Sequence, residues 1–214
     1  MVNLKFRREK FTSGQSGLAM TEALIVIPLL MLVFGAMVEF SAMVFQWSQV
    51  VKATQISARR AAVSSPLTDI SALSNYGTGA VVSAPISPPF PAPISCGAGT
   101  TACDSTQLDR LYYGSDNNCT DFDPNGVVGF CDVAWFVPKS SIRVTYSRSD
   151  LGYVGRPAGP VVTVTVETRN LYFNFFLLDQ IMAYFGPLGM PAGISIPPHP
   201  VSMTSEDLCS GVSC

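Results

Sequence analysis

Two carboxylates interrupt the N-terminal apolar run of this chain, Glu22 at its entry and Glu39 near its far end. A charge at or inside a bilayer boundary is costly and is usually kept for a reason. Gly17 stands five residues before Glu22, at the close of a polar stretch holding Lys5, Arg7, Arg8 and Lys10 against Glu9. Gly17 and Glu22 thus stand at a set spacing around the start of the apolar run. The plainer reading of Glu22 is a solvated residue at a helix N-terminus, where negative charge suits the dipole.

Other residues could do chemistry further on. "DFDPNGVVGFCD" places Asp121, Asp123 and Asn125 at the first, third and fifth positions of a loop, with Gly126 at the sixth and Asp132 at the twelfth. That is the spacing of an EF-hand calcium loop, with Asp where a bidentate Glu is usual. Pro124 is unusual there, no helical pattern flanks the loop, and "DPNG" is a ready β-turn, so the plain turn is favoured over calcium. Six cysteines, Cys96, Cys103, Cys119, Cys131, Cys209 and Cys214, have the spacings of short staples rather than of metal ligands. Short loops lose less chain entropy on closure, which favours sequential pairs: Cys96 with Cys103, Cys119 with Cys131, Cys209 with Cys214. Other pairings stay open. His199 is the single histidine and lies in "PPHP", a context for a surface residue; zinc is disfavoured. No nucleophile elbow, phosphate-binding glycine loop or C-x-x-C occurs, so the chain reads as a non-enzyme with no cofactor beyond the calcium candidate.

Composition narrows the class. Charged residues make up 13% of the 214 residues and apolar ones 48%, with a net charge of -2. Nothing here suggests nucleic acid, since no basic stripe runs along any segment. All the cysteines lie at position 96 or later, so the later part of the chain is expected in an oxidising compartment.

These residues need elements to hold them. Residues 1–17 read as a basic leader and 18–63 as a long helix, with a membrane span at about 23–47, some 37 Å at 1.5 Å per residue. The run is too long for a secretory signal core, and its small residues precede it instead of following it. Lys52, Arg59 and Arg60 nearly balance the basic residues before the span, so the cysteines decide the orientation, with the C-terminal part outside the cytoplasm. Residues 64–100, rich in Pro, Ser and Gly, read as an extended connection, and 101–214 as an α+β domain. Within it, 141–147 and 161–168 alternate branched apolar and polar residues and predict paired strands, joined by a long loop. "VAWFVP" at 133–138 predicts a third strand. The apolar segment 170–186 predicts a helix or strand–helix packing on the sheet, or else an exposed partner-binding patch, and 187–200 an irregular tail.

"SG" followed by "LAMTE" is similar to the type IV prepilin cleavage pattern. The continuation "ALIVIPLLMLVFGAMVEFSAMVFQWSQVVKATQISARRAAV" resembles the TadE family of tight-adherence (Flp) pilus assembly, on Pro28, Phe34, Gly35, Glu39, Phe40, Arg59, Arg60 and Ala61. The resemblance implies a cut between Gly17 and Leu18, with Glu22 of one subunit pairing the new Leu18 amine of a neighbour. It gives Glu39 a role in assembly, facing another neighbour or the distal interface. The implied protein is a pilin-like minor subunit, or pseudopilin, acting in pilus biogenesis, initiation or tip assembly, with adhesion among the uses of such pili. Its implied partners are a prepilin peptidase, sister pseudopilins, the major Flp pilin, the inner-membrane pilus platform and inner-membrane lipid. Its implied place is a single pass of a bacterial inner membrane, N-terminus cytoplasmic and domain periplasmic, or incorporated in the pilus. The expected fold is α+β: a long transmembrane pilin-like helix followed by a small disulfide-stapled domain with an antiparallel sheet. The alternative is a single-pass membrane-anchored envelope domain that binds a ligand or calcium outside any filament.

Overall fold

A computed structural model describes residues 15–74, 80–86, 88, 90–119, 126–149, 151–156, 161–173, 175 and 194–205. The leader up to residue 14, Asp121, Asp123, Asn125, Cys209, Cys214 and nearly all of 174–193 lie outside the described residues.

The chain divides into two compact units, one made of Met1–Val44 with Asn174–Gly193, the other of Phe45–Phe173 with Ile194–Cys214. In the first unit the described structure is almost wholly the start of helix α1 (Gln15–Val63). Its side chains are apolar nearly all round, and most face outward: Leu24, Ile25, Leu29, Met31 and Phe34 are each exposed by more than half. A helix with this character needs an apolar surrounding that water does not supply. Among the described residues α1 alone is long and apolar enough to cross a membrane, by length and composition. Two of its hydroxyls bond back within the helix, Ser41 Oγ donating to the Met37 carbonyl at 2.8 Å and Ser48 Oγ to that of Phe45 at 2.7 Å.

In the second unit the same helix changes face. Val50, Ala53, Thr54, Ser57, Ala58, Ala61 and Ala62 are buried at three- and four-residue steps, while Lys52, Gln55 and Arg59 are exposed. This mixed periodicity is that of a helix packed on one side. The unit also holds a four-stranded antiparallel sheet of β1 (Ile94–Gly97), β2 (Ile142–Arg148), β3 (Val162–Thr168) and β6 (Val201–Ser205), in the order β1-β2-β3-β6. A separate short pair joins β4 (Tyr172–Phe173) to β5 (Ile194–Ser195). Val144 pairs with Val166 and Tyr146 with Val164, so the period-two pattern of both central strands puts one apolar row into the core. The outer row is polar and knitted across strands, with Ser95 and Thr145 hydroxyls 2.8 Å apart and Thr165 and Ser202 hydroxyls at the same distance. Helices α2 (Ser105–Tyr113) and α3 (Phe130–Val133) pack against each other.

The two central strands fall where the alternation predicts them, and the fold is mixed α and β with an antiparallel sheet behind a long N-terminal helix. Cys96–Cys103 and Cys119–Cys131 are disulfides, as the short-loop argument expects. Residues 133–138 are not a strand. They end α3 and turn: Ala134 and Val137 are buried three apart, Trp135 points outward at 76% exposure, and the Ala134 N–H returns to the Phe130 carbonyl. The proline-rich stretch before residue 100 is not all connection, because its last residues form β1, the edge strand that carries Cys96.

Tyr146 joins the sheet to the segment after α1. Its ring is fully buried, and its hydroxyl accepts the Leu67 backbone N–H at 3.0 Å. Burial pushes the phenol up to about 12, with the Leu67 hydrogen bond pulling slightly the other way. The folded group therefore holds its proton more tightly than the unfolded one, so its contribution is complete below about pH 10 and is lost as pH rises toward 12. Stability should fall by about 2 to 3 kcal/mol over that window. Tyr146→Phe should cost about 1 to 3 kcal/mol at neutral pH by stranding the Leu67 N–H, and should flatten the alkaline loss. Denaturant midpoints of wild type and variant across pH 8 to 12 (roughly the titration window) test this; parallel curves would refute it.

Candidate functional site

The residues singled out at the N-terminus sit on one continuous helix, each in a different setting. Gly17 lies in α1 with its surface exposed, and a Cβ built there would meet nothing within 4 Å. Among the described residues no packing asks for glycine at this position. Glu22 is exposed and makes no ion pair among the described residues. It stands seven residues into α1, beyond the first turn where a helix dipole acts. In the intact chain the dipole therefore gives Glu22 no role. Removal of residues 1–17 would place it in the new first turns, beside the new amine.

Glu39 behaves differently. It is 4% exposed, and Gly35, one turn earlier, is buried too. Neighbouring Met37, Val38 and Phe40 are all exposed by more than 60%. The covered strip of this part of the helix is thus narrow, and Glu39 lies on it, not at an open interface with water.

Of the calcium candidates only Asp132 is described. Its Oδ2 accepts the Gly129 backbone N–H at 2.7 Å, capping the start of α3. Its charge also acts on Arg60, so this carboxylate has work in the fold whatever the rest of the loop does. Among the described residues no three His, Cys, Asp or Glu side chains gather as metal ligands. His199 is exposed in the irregular stretch between β5 and β6.

Sequence reasoning passed over α2. Its signal was present: Asp104 caps it by accepting the Gln107 N–H at 3.0 Å, and Gly114 ends it at φ 85°. A capping acid three residues before Gln, with a glycine after the last aromatic, marks both ends of a short helix. Missing α2 also hid Arg110, which shares a cleft with Arg60.

The chain thus joins a helix of membrane-spanning length and composition to a unit with an antiparallel sheet and two disulfides among the described residues. The helix is TadE-like: residues 17–59 match the family model for TadE-like protein, from Gly17 to Arg59. The match covers the helix and leaves the rest of the chain without a counterpart in that family model. No curated protein and no solved structure matches the chain.

Proposed function

We propose that the chain is a pilin-like minor subunit, a pseudopilin of the tight-adherence/Flp pilus machinery, acting in pilus initiation or tip assembly. A prepilin peptidase cuts between Gly17 and Leu18. The apolar half of α1 then lies in the inner membrane, or among the helices of sister pseudopilins and the major Flp pilin. The leader side is cytoplasmic and the sheet unit periplasmic, where its disulfides are stable.

The observation that carries this reading is Gly17. It is the first residue of the TadE-like match, a glycine with open space around it among the described residues, followed by Glu22 and an outward-facing apolar helix. Exposed apolar surface of this extent needs lipid or other helices to cover it.

N-terminal sequencing of the protein recovered from membranes should begin at Leu18. Gly17→Arg should leave the full-length chain uncut, seen as a slower band on an immunoblot. Normal processing of Gly17→Arg, or a native N-terminus elsewhere, would refute the prepilin reading and favour a membrane-anchored domain outside any filament.

A further inference from the structure

The second unit contains a half-open cleft of about 540 Å³ between the end of α1 and one face of α2. Arg60 enters it from α1 and Arg110 from α2. Ser105 and Thr106 at the start of α2, with Ser115 and Asn117 after its end, add short polar groups to the wall. Asp109, the one acid on the lining among the described residues, is already paired with Lys139. Arg110 is exposed and makes no ion pair among the described residues. Arg60 is half-buried and gives one Nη1 hydrogen bond, at 3.4 Å, to the Val128 carbonyl, which leaves most of its donors unused.

Two guanidinium groups therefore share one cleft with little opposing charge among the described residues. Burial lowers the Arg60 pKa, the neighbouring Arg110 charge lowers it further, and Asp132 only partly offsets both. An anion between the two would remove the repulsion and accept charge-assisted hydrogen bonds from planar donors suited to carboxylate or phosphate. The volume falls in the range of small-molecule sites, roughly 300 to 1,000 Å³.

We propose that this cleft binds a small oxyanion, a carboxylate- or phosphate-bearing molecule held between Arg60 and Arg110. A lipid headgroup carries the same chemistry, but Arg60 lies thirteen residues beyond Trp47, about 20 Å further along the helix. That rise takes the cleft past the headgroup layer, so the soluble source is favoured. This inference stands on the second unit alone and does not depend on the pilus reading.

The test is calorimetric titration of the full chain, held in phosphatidylcholine nanodiscs at low ionic strength, with inorganic phosphate and with succinate. At least one should bind saturably. Arg110→Gln, at an exposed position that the fold can spare, should weaken that binding about tenfold or more. Arg169→Gln should leave it unchanged, because Arg169 serves Glu167 on the sheet. A repeat in nanodiscs containing phosphatidylglycerol separates the sources. Unchanged phosphate or succinate binding there supports the soluble ligand. Loss of that binding in wild type supports an oxyanion site filled by headgroups. Absence of saturable binding by both probes, or equal binding by Arg110→Gln, would overturn the proposal.

Discussion

Glu22→Ala should be cut after Gly17 as efficiently as wild type and then fail to enter pili. On the proposed reading the peptidase acts on the bond before Leu18, and Glu22 is exposed and makes no ion pair among the described residues, so its loss should leave the helix and the substrate bond unchanged. The cost appears only when the trimmed helix packs among others. There the Leu18 amine loses its carboxylate partner in a low dielectric, a penalty of about 3 to 5 kcal/mol for a buried charge left alone. That is about a hundredfold or more in a reversible association, enough to exclude a subunit. Immunoblots for the size shift, with counts of surface pili and of the protein in sheared filaments, give the answer. Pili at wild-type number, carrying the variant, would end the charge-pairing account while leaving the cleavage account intact.

Gly129→Ala should unfold the second unit at a markedly lower temperature. A Cβ at this residue would lie 2.4 Å from Gly114 N, 2.4 Å from the Tyr113 carbonyl carbon and 2.5 Å from Tyr112 O. All three are backbone atoms, so no side chain can swing aside. Gly114 returns the constraint: it sits at φ 85°, pairs with Val128, and its own Cβ would lie 2.3 Å from Val127 O. The two glycines let the end of α2 touch the start of α3 through bare backbone, beside the Cys119–Cys131 disulfide. Overpacking against atoms that cannot move should cost about 3 kcal/mol, which for a chain of this size lowers Tm by roughly 6 to 12 °C. Gly99→Ala is the control, since it has positive φ but open space, and should cost only about 1 kcal/mol. Thermal unfolding followed by circular dichroism separates the two; equal melting would show that the α2–α3 contact yields without penalty.

What could be read from the chain depended on how far each signal reached. β2 and β3 announced themselves because seven-residue alternation is local and both faces obey it. "VAWFVP" alternates as well, but over too few residues to outweigh Pro138 and the turn that buries Ala134 and Val137 together. The edge strands were hidden for another reason. β1 is four residues long, β6 has a mostly polar outer row, and each gains its identity from a partner distant in sequence. At the candidate site, Gly17 and Glu22 were legible as a spacing. Burial of Glu39 was not, because a helix that is apolar all round does not reveal which strip will be covered. The Arg60–Arg110 cleft needed α2 in place before the two charges could be seen as neighbours.

The strand order β1-β2-β3-β6 also sets a timetable. On a chain that emerges N-terminus first, the Cys96–Cys103 and Cys119–Cys131 loops span only 7 and 12 residues, so each can close as soon as its second cysteine arrives. The β2–β3 hairpin can form next from neighbouring segments. β3 nonetheless keeps one bare edge until Val201–Ser205 has been delivered, because β6 follows the other described strands. In that interval the half-built sheet presents a row of unpaired backbone groups able to capture a foreign strand. The second unit is therefore most in need of protection just before Val201–Ser205 arrives, after its two described disulfides are already set.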